Sequence, residues 1–437
     1  MSYIDFSKDY RDYAIFTPAI SEMYSRYIAS KTPKRVPHFD RLELDFLDNN
    51  SKLFYLPYAL YSAGQAAKSR KSSPDQKEKD QIMKRNKKTS TLIGDSGGFQ
   101  IETGAITWRG DETRERMLRW LEDNCDWSMI LDFPTGSITR RGDQFLKQHN
   151  VDTSIETPFN FCLRRTLENN DYFVKNRVPG ATNFLNVIQG RNPAETDIWY
   201  DAVKNYPFEG WALAGCHKED FYLTVRRLLI MRDEGRLTEK NWIHFLGMGK
   251  LRNGCIFSTI QRQLRKTVNP NITISYDVSS PFTSAAYGLL FTGYTIDSKG
   301  WRLHSKKGPD SKEFIGSDLP FPWHSPIGKL LTLGDICIND DPKYVSSWDI
   351  CSYAMMMNHN TFVLLSATFE AQRLYDMGNK EFVLPELLLI KNIIEEAFSI
   401  ENWSDFLKIH RRTLNELTFN KKGSGVSAVE DNSLFTI

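Results

Sequence analysis

Three carboxylates in this chain, Asp95, Asp132 and Asp277, each stand directly after a short apolar run. The stretch Asp95-Ser96-Gly97-Gly98-Phe99-Gln100 is the most informative. It places an acid at the end of a strand, two glycines that let a ligand approach the backbone, and an aromatic ring beside them. That combination suits a planar heterocycle. The same layout recurs along the chain: Trp127–Leu131 runs into Asp132, Phe184–Ile188 into Gln189-Gly190, Trp211–Ala214 into Gly215, Trp242–Leu246 into Gly247, and Ile272–Tyr276 into Asp277. Taken singly, each is also what an ordinary strand-to-loop turn or a helix-capping acid looks like.

Amphipathic stretches at Asp111–Asn124, Ala194–Asn205 and Glu219–Glu234 separate these runs and read as helices. Strands alternating with helices imply a parallel α/β fold. Polar residues gathered at the C-terminal ends of many different strands favour a (β/α)8 barrel of the TIM type, which carries its site on that face. A doubly wound sheet is the alternative, but it usually brings a glycine-rich phosphate loop, and the chain has none. The expected organisation is an N-terminal segment at 1–90, a catalytic barrel at 91–342, C-terminal helices at 343–420 packing on it, and a disordered tail at 421–437. Helices are expected at Trp348–Met357, Thr361–Met377, Leu384–Ser399 and Trp403–Phe419.

With 437 residues, 41% hydrophobic and 25% charged, the composition is that of a globular protein. No apolar run approaches the ~20 residues of a membrane span, and no repeat implies a solenoid or propeller. The start Met1–Asp9 lacks the layout of a signal peptide. The expected location is therefore the cytoplasm. Six scattered cysteines show no metal-finger or redox spacing and read as reduced and buried. Net charge is only +2, but residues 68–88 carry nine Lys/Arg against three acids. This insert, with Lys84, Arg85, Lys87 and Lys88 at its end, reads either as a solvated loop or as an arm that meets a polyanion.

The ordered strand ends resemble the tRNA-guanine transglycosylase superfamily across roughly residues 90 to 290. The pieces are DSGGFQ at 95–100, LDFP at 131–134, VIQG at 187–190, ALAG at 212–215, FLGMG at 245–249 and YDVSSP at 276–281. Members are (β/α)8 barrels that remove a purine from a nucleic acid and install a 7-deazapurine through a covalent intermediate. The resemblance implies that Asp277 is the nucleophile and Asp95 the general acid and base. It implies that Asp132 recognises the base, since one carboxylate can accept both the N1–H and the N2–H2 of guanine. Gln189 and the Gly215 amide would meet O6, Phe99 and Leu246 would sandwich the ring, and Ser96 and Gly190 would complete the pocket.

Departures from the family pattern carry information too. The family holds structural zinc on three cysteines and a histidine. Here His359-Asn360 and Cys337 match, but Thr332 and Gly334 stand near the places of the first two cysteines. Four-ligand zinc is thus incomplete unless Cys351, His304 or His324 substitutes. The bland alternative is a core Cys337 and a helical His359 bonded to a carbonyl. The family's Pro-Thr-Arg becomes Pro281-Phe282-Thr283. With the basic insert, these departures are similar to the DNA-guanine transglycosylase (DpdA-type) branch of bacteriophages and bacterial modification clusters. That resemblance implies DNA as partner, with tRNA as the alternative, and a free 7-deazaguanine such as preQ0 or preQ1 as the incoming base. Insertion of that base protects phage DNA from restriction. No cofactor is required for the chemistry, and no membrane partner is expected. A homodimer is left open, as are a plain N-glycoside hydrolase and a catalytically silent nucleic-acid-binding barrel.

Overall fold

A computed structural model describes residues 4–9, 12–67, 85–218 and 220–416. Eight parallel strands form a single sheet: β1 (Ile15–Pro18), β2 (Tyr58–Ser62), β3 (Thr91–Asp95), β4 (Trp127–Met129), β5 (Asn183–Ile188), β6 (Gly210–Leu213), β7 (Trp242–Phe245) and β8 (Thr273–Val278). They lie side by side in chain order, with β8 paired in parallel to β1. The circle closes between β1 and β2, where Ala19 bridges Leu60 and the Ile20 amide donates to the Leu60 carbonyl at 2.9 Å. This is the (β/α)8 barrel that the alternation of strand and helix implies.

The outer helices are α1 (Glu22–Ala29), α2 (Asp111–Asn124), α3 (Pro158–Asn176), α4 (Pro193–Val203), α5 (Phe221–Asp233) and α6 (Leu251–Thr267). Several begin at side-chain caps only a few residues beyond a strand end. Asn192 accepts from the Glu195 amide to start α4, and Asp220 accepts from the Leu223 amide to start α5. Each cap satisfies an otherwise orphaned helix N–H and stops the helix from unwinding into the loop that carries the site.

Inside the barrel, Trp127 at the start of β4 stacks on Trp242 at the start of β7, with ring centroids 5.1 Å apart. These strands are not neighbours in the sheet, so the two indoles meet across the interior and plug its N-terminal end. Successive side chains on a strand alternate faces. His244 therefore shares the inward face with Trp242, and Ser275 and Asp277 share the inward face of β8.

The structure corrects the expected domain boundaries. Strands β1 and β2 both come from residues 1–90, so the barrel begins at Ile15 rather than at 91. These strands hid because they are four and five residues long, Pro18 ends one, and no long helix connects them, only the short α1, a 3-10 turn at Arg41–Leu44 and the two-residue strand Phe54–Tyr55. Beyond β8, the barrel gives way to an antiparallel hairpin of β9 (Leu289–Asp297) and β10 (Gly300–Lys307). The two helices expected at 348–377 are one, α7 (Ile350–Met377), capped by Asp349. It packs against α1, α6, β1 and β9, and so takes the outer position that follows β8. Helix α8 (Pro385–Ser399) then packs on α6. The stretch from Trp403 holds two short helices, Trp403–Ile409 and Arg411–Asn415. The tail at 421–437 lies outside the described residues. Among the described residues no helix is long and apolar enough to cross a membrane.

The end of the basic insert is also corrected in part. Arg85 is buried, donates to the Ser90 and Asn124 carbonyls at 2.7 and 2.8 Å, and pairs with Asp126 at 2.7 Å. It ties the entry of β3 to the turn before β4 and is not placed to meet a phosphate. Lys87 reaches the Asp123 carbonyl at 2.8 Å from an exposed position, and Lys88 is exposed. Lys84 lies outside the described residues. Replacing Arg85 with Met should destabilise the fold by roughly 3 kcal/mol, because a buried guanidinium and its carbonyl partners lose each other together. Chemical denaturation of Arg85→Met against Lys88→Met checks this; equal midpoints would mean that Arg85 is not a structural tie.

Candidate active site

Asp95 is the last residue of β3 and lies in register with Ser62, the last residue of β2. Ser62, whose Oγ donates to Gln100 Oε1 at 3.0 Å, and the Gly97 amide both favour its ionised form. Burial nevertheless raises its pKa, and the charge of Asp277 adds to that rise. The turn that follows must be glycine. Gly97 has a φ of +90°, and a Cβ there would stand 2.8 Å from the Gly64 Cα. A Cβ on Gly98 would stand 2.5 Å from the Asp132 carbonyl oxygen. Two backbones thus touch where side chains would hold them apart.

That contact brings Asp132 in from the end of β4. Its Oδ2 accepts a hydrogen bond of 2.7 Å from Gln189 Nε2, which enters from the end of β5. Burial pushes the Asp132 carboxyl up to about 7, with Asp95 and Glu102 pushing the same way and the Gln189 bond opposing them. At neutral pH this group is divided between acid and carboxylate. A ligand presenting N–H donors would favour the ionised form.

Gly190 and Gly215, after β5 and β6, press against each other. Gly215 has a φ of +59°, and a Cβ on it would lie 2.3 Å from the Gly190 carbonyl oxygen. The Gly190 amide donates to Thr135 Oγ1 at 3.3 Å, and the Cys216 amide donates to the Gly190 carbonyl at 2.9 Å.

Asp277 projects from β8 next to the loop after β7. Its Oδ1 accepts from the Gly247 amide at 2.7 Å and lies 3.2 Å from His244 Nε2. His244 is fully buried and sits in register with Ser275, whose Oγ is 2.8 Å from His244 Nδ1 and accepts from Trp242 Nε1 at 2.7 Å. Lys218 lies beside the Gly247 turn with its side chain open to solvent; a Cβ on Gly247 would lie 3.1 Å from its Nζ. Surrounding protein lowers the Lys218 pKa, and the charges of Asp277 and Asp132 resist that shift.

The structure therefore gathers Asp95, Asp132, Gln189, Gly190, Gly215 and Asp277 at the C-terminal end of one barrel. Phe99 and Leu246 are half-buried there, and Ser96 is fully buried with no hydrogen-bond partner for its Oγ among the described residues. One wall is braced by groups that the sequence did not single out. Buried Glu102 holds Arg140 through contacts of 2.7 and 2.8 Å, and the Arg140 guanidinium lies 5.9 Å from the Phe99 ring centroid. His244, Ser275 and Lys218 were missed as well. The available signal for the first two was polar residues at alternate positions of otherwise apolar strands.

The residues matched to a zinc site do not fit one. His359 Nε2 donates to the Phe291 carbonyl at 2.7 Å, so its Nδ1 is left to accept from Ser325 at 2.8 Å. Burial takes its pKa down to about 4. Cys337 Sγ donates to the Pro309 carbonyl, Thr332 caps a short helix with Asp335, and Cys351 lies near Tyr27 on α7. Among the described residues no three His, Cys, Asp or Glu side chains are grouped to hold a metal ion.

Chemically, the arrangement offers a hydrogen-bonded carboxylate at Asp277 and an acid that favours its proton at Asp95. It also offers an acceptor for planar N–H donors at Asp132. The raised Asp132 pKa has a consequence for stability. The folded state keeps a proton that the unfolded chain releases above a pKa of about 4. This contribution is thus complete below that pH and lost as pH rises through about 7. Asp95, raised in the same direction, adds a loss of the same sign. Asp132→Asn should therefore show a smaller fall in melting temperature between pH 5 and pH 8 than the unsubstituted protein. An equal fall would mean that Asp132 does not hold this proton. In comparison with known proteins, no family model matches the chain and no curated protein matches it.

Proposed function

We propose that the protein is a guanine transglycosylase that exchanges guanine in DNA for a 7-deazaguanine base. The observation that carries this reading is the pairing of Asp277, an ordered carboxylate with one oxygen tied by two donors, with Asp95, a carboxyl biased toward its protonated form. Two such carboxyls are what retaining glycosyl transfer requires.

In the first half-reaction Asp277 attacks C1′ of the target nucleotide. A C–O bond forms as the C1′–N9 bond breaks, and the electron pair leaves with the purine, which Asp95 protonates. Guanine departs and a free 7-deazaguanine takes its place. Asp95 removes the proton from N9 of that base, N9 attacks C1′, and the electron pair of the C1′–O bond returns to Asp277. Asp132 accepts the N1–H and N2–H2 of either base, with Gln189 and the Gly215 amide near O6. No cofactor enters these steps.

A silent binding barrel has no use for this set: attraction to a polyanion gains nothing from three carboxylates in the pocket. DNA is favoured over tRNA by the altered region around Cys337 and by Phe282, which is buried against Tyr24 with ring centroids 5.3 Å apart where the resembled family carries a different segment. A guanine in duplex DNA must be extruded from the stack, at a cost of a few kcal/mol. Lys218, exposed at the mouth, offers a cation for a backbone phosphate.

The decisive experiment is nucleoside mass spectrometry of DNA and of tRNA after incubation with the protein and a 7-deazaguanine. Incorporation into DNA is expected; incorporation into tRNA alone would transfer the reading to tRNA, and neither would end it. Asp277→Asn should abolish both exchange and the covalent protein–DNA adduct. Asp95→Ala should lower the exchange rate by roughly 10²- to 10⁴-fold through loss of general acid catalysis. Turnover near that of the unsubstituted protein in either variant would remove that residue from its role.

A further inference from the structure

The geometry points to His244 as a positioning residue that holds Asp277 by one oxygen and makes it the better leaving group. This rests on the reading of Asp277 as nucleophile. An indole N–H only donates, so Trp242 Nε1–H gives its hydrogen to Ser275 Oγ, at 2.7 Å. The Ser275 hydroxyl then has its own proton to give, and His244 Nδ1, 2.8 Å away, accepts it. A carboxylate oxygen only accepts, so the imidazole proton belongs on Nε2, which faces Asp277 Oδ1 at 3.2 Å. Every hydrogen in the chain from Trp242 to Asp277 then has one acceptor. The His244 side chain has 0% exposure, so water does not compete for the bond.

The Gly247 amide donates to the same Oδ1 at 2.7 Å, while Oδ2 receives no hydrogen bond from the described residues. Oδ2 is therefore the oxygen that attacks C1′. Once the C1′–Oδ2 bond forms, Oδ1 becomes the carbonyl oxygen of a neutral ester. When the incoming base attacks C1′ and that bond breaks, negative charge returns to the carboxylate and spreads onto Oδ1, where both donors already point. A hydrogen bond to the ionised form is stronger than one to the ester. The relay thus aids breakdown of the intermediate and not its formation.

The test separates the two half-reactions. A labelled oligonucleotide without free base reports adduct formation on a denaturing gel, and a chase with 7-deazaguanine reports breakdown. In His244→Phe, breakdown should slow by roughly 10- to 100-fold, the worth of a hydrogen bond to a charged group, with formation much less affected, so that adduct accumulates. His244→Gln, whose amide can donate to Oδ1, should recover most of the breakdown rate. Nitrogen-15 NMR of the full-length protein should show the Nε2–H tautomer, and Ser275→Ala should disturb it; this reading does not depend on activity or on His244→Phe folding. Equal slowing of both half-reactions, unchanged breakdown in His244→Phe, or an Nδ1–H tautomer would overturn the proposal. Absence of any adduct from the unsubstituted protein on DNA and tRNA would instead refute the transglycosylase reading, while the tautomer would still decide whether the relay exists.

Discussion

A parallel sheet of eight strands closes only if the strands tilt and stagger, and that single geometric condition governs everything at this site. The bridge between Ala19 and Leu60 brings the two edges of the sheet together and turns every strand's C-terminal end toward one mouth. Residues separated by 182 positions, Asp95 and Asp277, come to feel each other's charge through that closure and not through any local motif. The interior must also be filled, and it is filled in layers. The stacked Trp127 and Trp242 plug the bottom, His244 and Ser275 occupy the middle, and the carboxylates stand at the top.

Crowding three carboxylates into one mouth is electrostatically costly, and the structure resolves the conflict by treating them differently. Asp95 and Asp132 sit where burial and mutual repulsion favour the proton. Asp277 instead receives a backbone amide and an imidazole N–H, the kind of partners that stabilise charge. The same side chain thus meets three different environments within one mouth. The glycines at 97, 98 and 215 belong to the same solution, because any Cβ there would separate the backbones that bring the carboxylates within reach.

Elsewhere the fold reassigns groups that look functional in the linear chain. Arg85 stands in a run of basic residues, yet it spends its guanidinium on Ser90, Asn124 and Asp126. His359 has the spacing of a metal ligand, yet a carbonyl and a serine hydroxyl occupy its two nitrogens. In both cases the partners come from segments distant in sequence or from the other side of a loop, and only packing decides whether they are near.

Much of this protein was legible before folding. Apolar runs ending in Asp95, Asp132, Gln189, Gly215 and Asp277 announce strands with polar C-terminal ends, and their alternation with helices announces the barrel, because periodicity is a local property of side-chain order. The strands at Ile15–Pro18 and Tyr58–Ser62 were not legible: each is too short to show a period, and only the need to close the sheet recruits them. Nor was the part played by His244, since a histidine in an apolar strand looks like any core residue until a neighbouring strand brings Ser275 and Asp277 beside it. Local sequence order determined which residues reach the mouth of the barrel. Tertiary structure alone decided which of them share protons, because hydrogen bonds and charge interactions act over a few ångströms in space, whatever the distance along the chain.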